Sequence, residues 1–124
     1  MSKFTLVLAF YLSAVSQIFA TDPYPRNPNI DIQHYLFQID LNDSDNTIAG
    51  TTEVTILFKN SVSTFELDLV GKSQDERGMT VNSVTQQKNS LKFSQKNDRL
   101  SITLNNPPQA GEEITITINY SGIP

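Results

Sequence analysis

The chain has 124 residues, 38% of them hydrophobic, with a single histidine and neither cysteine nor tryptophan. That length supports one small apolar core and leaves no room for a second domain within it. Thirteen acidic residues stand against nine basic ones, a formal net charge of −4. This excludes recognition driven by phosphate backbones or anionic lipid, and the lack of cysteine excludes disulfides as a source of stability.

Met1-Ser2-Lys3 carries one cationic side chain, followed by an apolar run from Phe4 to Val15 and the closing stretch Ser16-Gln17-Ile18-Phe19-Ala20. That is the layout of a secretory signal peptide. The apolar run is shorter than the ~20 residues that span a bilayer, and Ala20 stands before the polar Thr21-Asp22-Pro23. Residues 1–20 are therefore expected to be removed, leaving an exported chain outside the membrane, whether secreted, periplasmic or at a cell surface. Residues 21–31 hold Pro23, Pro25 and Pro28. Proline fixes φ and lacks a backbone donor, so this stretch is expected to be an irregular leader into the fold.

From Ile32 onward a period of two dominates. Tyr35, Phe37, Ile39 and Leu41 alternate, interrupted only by Leu36, which predicts a strand ending near Leu41. Asn42-Asp43-Ser44-Asp45-Asn46 is a run of turn-forming residues and predicts a hairpin loop. The returning segment, Thr47 to Lys59, places Ile48, Gly50, Thr52, Val54, Ile56 and Phe58 on one face. Its β-branched content argues against a helix.

Phe65, Leu67 and Leu69 alternate with Glu66 and Asp68, and Met79, Val81 and Val84 slip register at Asn82-Ser83, as a β-bulge would require. Leu91 and Phe93 are expected in one short hairpin strand. The clearest alternations are Leu100, Ile102, Leu104 and then Ile114, Ile116, Ile118, Tyr120, separated by the turn Asn105 to Gly111. No useful length shows helical spacing after the leader. The expected fold over residues 32–124 is all-β, an antiparallel β-sandwich or saddle-like domain of about seven or more strands.

The same residues offer little chemistry. A zinc hydrolase needs several rigidly held ligands, and His34 is the only histidine. Read as a general base, His34 lacks an evident orienting partner and is better described as a partly exposed strand-end residue. Asp40, Asn42, Asp43 and Asp45 invite a calcium-loop reading, but the glycine and closing glutamate of such a loop are missing, which favours a solvated hairpin. Glu66 and Asp68, two apart on one strand, fall about 7 Å apart on one face. A glycosidase could use that spacing, but alternation with apolar neighbours favours a solvent-facing edge. Asp75-Glu76-Arg77 and Glu112-Glu113 read as solvated turn charges. Asn42-Asp43-Ser44 and Asn119-Tyr120-Ser121 both match the N-glycosylation tripeptide. No residue is assigned as catalytic, cofactor-binding or metal-binding.

The order of segments resembles the N-terminal domain of the aminopeptidase N family of zinc metallopeptidases, the gluzincins, over about residues 27 to 124. His34-Tyr35 with its alternating apolar residues is similar to the family's opening strand, although Leu36 stands where an aspartate is common. Thr47-Ile48-Ala49-Gly50, Leu67-Asp68-Leu69-Val70-Gly71 and Asn97-Asp98-Arg99-Leu100 are similar to later strands. The closing Pro107-Pro108-Gln109-Ala110-Gly111-Glu112 and Tyr120-Ser121-Gly122-Ile123-Pro124 resemble the family's Gly-Glu turn and Tyr-x-Gly-x-Pro ending.

The resemblance implies a β-rich saddle packed on a thermolysin-type catalytic domain, with zinc held there and not in this chain. The family's Gly-x-Met-Glu-Asn and His-Glu-x-x-His segments have no counterpart in the sequence. The expectation is a non-catalytic scaffold fragment of an exported aminopeptidase whose partner is that catalytic domain, with no nucleic acid and no membrane involved. The alternatives are a free-standing secreted β-sandwich that binds protein or carbohydrate, and a decoy that docks on an intact aminopeptidase.

Overall fold

The structure is a computed structural model that describes residues 26–124. The leader-like segment 1–20 and residues 21–25 of the proline-rich stretch lie outside the described residues. No helix among the described residues is long and apolar enough to cross a membrane.

Eight strands follow one another: β1 Ile30–Leu41, β2 Ile48–Phe58, β3 Thr64–Asp68, β4 Gly78–Gln86, β5 Asn89–Ser90, β6 Lys92–Lys96, β7 Arg99–Thr103 and β8 Glu112–Ile123. They form a five-stranded sheet in the order β1-β2-β8-β4-β5 and a three-stranded sheet in the order β3-β7-β6. Every pairing within the sheets is antiparallel. The all-β expectation holds, and the first strand begins at Ile30, ahead of the Ile32 read from sequence.

The alternation fixes which face each strand buries. Thr52, Val54, Ile56 and Phe58 of β2 lie beside Ile118, Ile116, Ile114 and Glu112 of β8. The apolar members of that set meet Phe65, Leu100 and Ile102 of the smaller sheet. Phe58 and Phe65 close the contact edge to face, with ring centroids 5.5 Å apart and planes at 78°, a geometry favoured by the ring quadrupoles. Burying side chains of this size contributes roughly 1.5–3 kcal/mol each.

Two register slips explain the irregularities of the sequence. β1 shifts against β2 between Ile32 and His34, so Ile30, Ile32, Tyr35 and Phe37 all share the inner face and Leu36 turns outward. β4 shifts against β8 between Val81 and Ser83, the bulge expected at Asn82-Ser83.

The expectation of one hairpin strand holding Leu91 and Phe93 is corrected. Asn89–Ser90 pairs with β4 in the large sheet, and Lys92–Lys96 pairs with β7 in the small one. Leu91 between them is buried and donates its N–H to the Val84 carbonyl at 2.9 Å. The chain changes sheets there because one apolar side chain at the corner can reach the core that both sheets share. The turn before it, Gln87-Lys88, has φ values of 48° and 68°, as a two-residue hairpin loop requires.

Candidate functional site

The two sheets are unequal in length. At ~3.3 Å per residue a 12-residue strand runs about 40 Å and a five-residue strand about 17 Å. The large sheet therefore extends past the small one, and part of its inner face is bare. From Tyr35 onward the inner-face residues of β1 are all exposed, 45% at Tyr35, 60% at Phe37, 52% at Ile39 and 77% at Leu41. Val70, just beyond β3, is also exposed. Contiguous exposed apolar surface of this kind marks interaction sites.

Between the overhang and the small sheet lies a cleft of about 440 Å³, lined by Tyr35, Phe37, Val54, Leu69, Met79 and Tyr120 among others. Tyr35 and Phe37 stack at its lip, centroids 5.5 Å apart. Burial, and secondarily the Asp68 carboxylate, push the Tyr35 phenol above its ordinary pKa. Deeper in, the Thr52 and Tyr120 hydroxyls share a hydrogen bond of 3.0 Å.

The floor of the cleft depends on Gly50. A β-carbon there would overlap the Tyr120 ring, so the ring lies across β2 only because position 50 has no side chain. Gly50 and Tyr120 are register partners on β2 and β8. Gly122 makes a second close approach, since a β-carbon there would run into the Gly78 carbonyl, and Gly78 itself has φ of 113°.

The residues weighed for chemistry do not converge. His34 lies on the outer face of β1 opposite Thr55, exposed, and within the strand, not at its end as read from sequence. Asp45 and Thr47 bond to each other through side chain and backbone, which pulls the Asp45 carboxyl below its ordinary range. Asn42 forms a similar turn with Ser44. Asp75 is lowered in the same way, chiefly by the Ser73 hydroxyl.

Glu66 and Asp68 do share one outward face, and Arg99 of β7 sits between them, 3.0 Å from Glu66 and 3.7 Å from Asp68. The cation satisfies both carboxylates, so the pair is a structural bridge worth up to ~1 kcal/mol per exposed pair. Sequence reading missed Arg99 because its partners lie some 30 positions away.

The described residues contain no group of three or more side chains able to hold a metal ion. With one histidine, exposed on the far face of β1, the donors present do not fit a zinc site.

No family model matches the chain, and no curated protein matches it. Solved structures do. It superposes on a variant of an M1 zinc metallopeptidase from Deinococcus radiodurans bound to a Tyr-Ser-Ala substrate, with TM-score 0.65, 21% identity and 78% of this chain covered. The M1 zinc metallopeptidase of the same organism gives TM-score 0.65 and 21% identity over 79% of this chain. A two-domain M1 zinc metallopeptidase variant bound to L-tryptophan gives the same TM-score and identity. In each case the chain spans only 21% of the matched protein. The chain thus has a fold found in part of the M1 zinc metallopeptidases.

Proposed function

We propose that this chain is a non-catalytic N-terminal scaffold domain of an exported zinc aminopeptidase-like protein, docking through its bare inner face onto the catalytic part of that protein. The observation that carries the reading is the row Tyr35, Phe37, Ile39 and Leu41, exposed on the face that is buried elsewhere in the same sheet. Two findings support it: the fold matches about a fifth of M1 metallopeptidase chains, and the described residues lack a zinc ligand set. Zinc and hydrolysis would belong to the catalytic part, and export rests on the signal-like residues 1–20.

The test has two arms. Residues 21–124 alone should give no turnover of an aminoacyl chromogenic substrate with zinc; chelator-sensitive turnover overturns the non-catalytic role. In gel filtration the isolated domain should self-associate in proportion to concentration, and Phe37→Ser should reduce this. A monodisperse monomer with unchanged behaviour in the variant favours a free-standing binding module instead.

A further inference from the structure

The sequence contains two N-glycosylation tripeptides, and the fold treats them very differently. Asn119 lies on the outer face of the central strand β8. Its Oδ1 accepts from the Thr51 hydroxyl of β2 at 2.7 Å, and its Nδ2 donates to the Ser83 hydroxyl of β4 at 3.0 Å. The three residues are register partners across adjacent strands. The amide is thus locked flat across the sheet, with neighbouring strands about 4.8 Å away on either side. A sugar on that nitrogen would sit where those neighbours are and would strain or break the ladder.

Asn42 is exposed in the β1–β2 hairpin loop. Both of its hydrogen bonds fall on the carbonyl side of its amide: Oδ1 accepts from the Ser44 backbone N–H at 3.0 Å and from the Ser44 hydroxyl at 2.7 Å. The nitrogen makes no hydrogen bond to any described residue. The hydroxyl of the tripeptide is therefore already aligned with the amide, and its donation to Oδ1 polarises that group and makes the Nδ2 protons more acidic. A glycan at Nδ2 would extend into solvent with no native bond lost.

We infer that Asn42 is the acceptor of an N-linked glycan and that Asn119 is not. In the transfer, Nδ2 forms a bond to the anomeric carbon of a lipid-pyrophosphate-linked oligosaccharide, the bond from that carbon to the pyrophosphate oxygen breaks with its electron pair going to the departing lipid pyrophosphate, and the amide proton passes to a base of the transferase. The inference rests on export through a eukaryotic secretory route. It also sharpens the docking face: the glycan adjoins Leu41, so a domain covering Tyr35 and Phe37 must stop short of the hairpin tip.

The experiment expresses the full 124-residue chain in a eukaryotic secretory cell line, beside a version whose residues 1–20 are replaced by the leader of an independently secreted protein. Secreted material is treated with peptide-N-glycosidase in ¹⁸O water and mapped by mass spectrometry. A single mass loss with the isotope at residue 42 is expected. Asn42→Gln and, separately, Ser44→Ala should abolish it, and Asn119→Gln should leave it intact. Secreted chain bare at Asn42, or a glycan at Asn119, overturns the inference. Secretion of the replaced-leader version alone refutes the export reading of residues 1–20 while still deciding the acceptor site.

Discussion

The two lateral sides of the sandwich are built in opposite ways. On the β4–β5–β6 side the sheets are joined: the chain passes from one to the other at Leu91, and Gln95 of β6 reaches across to β4. Its Nε2 donates to the Met79 carbonyl at 2.7 Å and its Oε1 accepts from the Val81 N–H at 3.1 Å. The exposed edge of β4 is thereby capped at its bulge, and a parallel bridge from Gly71 to Met79 covers it further. On the β1–β3 side the two edge strands share no hydrogen bond among the described residues, and only packing of Ile30, Ile32 and Leu67 on the core brings them together. β1 is a long edge strand without lysine or proline, two common devices for blocking further pairing. One side of the domain has its sheets linked and the other leaves a long strand edge and part of an apolar face exposed.

The comparison is broken most severely by cutting a side chain from where both sheets meet. Phe58→Ala should cost ~3–5 kcal/mol in urea unfolding, whereas Phe37→Ala on the open side should change stability by less than ~0.5 kcal/mol. Equal losses would mean that the overhang is part of the core.

Gly50 tests the boundary between these regions. Gly50→Ala should displace the Tyr120 ring and its bond to Thr52, costing ~1–3 kcal/mol as overpacking does. A crystal structure should show the ring lifted into the cleft. An unchanged melting temperature would indicate that the ring lies elsewhere in solution.

Removing the cap on the closed side should act through the backbone it satisfies. Gln95→Ala leaves the Val81 N–H and the Met79 carbonyl without their partner, a loss of ~1–2 kcal/mol for part-buried groups. Hydrogen exchange at Val81 should accelerate more than at Ile116. If both amides keep their wild-type rates, Gln95 does not close that edge.

The smallest effect concerns pH at the mouth of the cleft. Because the Tyr35 phenol is held above its ordinary value of 10.0, the unfolded chain releases that proton first. Its contribution is complete below about pH 10 and declines as pH rises through the folded-state value. Tyr35→Phe should flatten the fall in melting temperature above about pH 9.5, where the phenol begins to titrate. An alkaline profile identical to wild type would place the phenol in open water.

Much of the fold was legible because strand periodicity is local. Ile114, Ile116 and Ile118 alternate with polar residues, and no distant contact is needed to see that one face is buried. The bulge at Asn82-Ser83 was legible for the same reason, as a break in that alternation. The corner at Leu91 was not, since consecutive residues can pair with different sheets without altering their own pattern. Arg99 between Glu66 and Asp68, and Gln95 on the edge of β4, were hidden because side-chain partners across strands leave no mark on local spacing.

The open face is where sequence and tertiary structure part most clearly. Tyr35, Phe37, Ile39 and Leu41 have the same alternation as Val54, Ile56 and Phe58, so the sequence by itself determined that both rows are apolar and face one way. Only the tertiary structure decided that one row is covered and the other bare, because coverage depends on how far the opposing sheet extends. The short strands β3, β7 and β6 end before they reach the tip of β1.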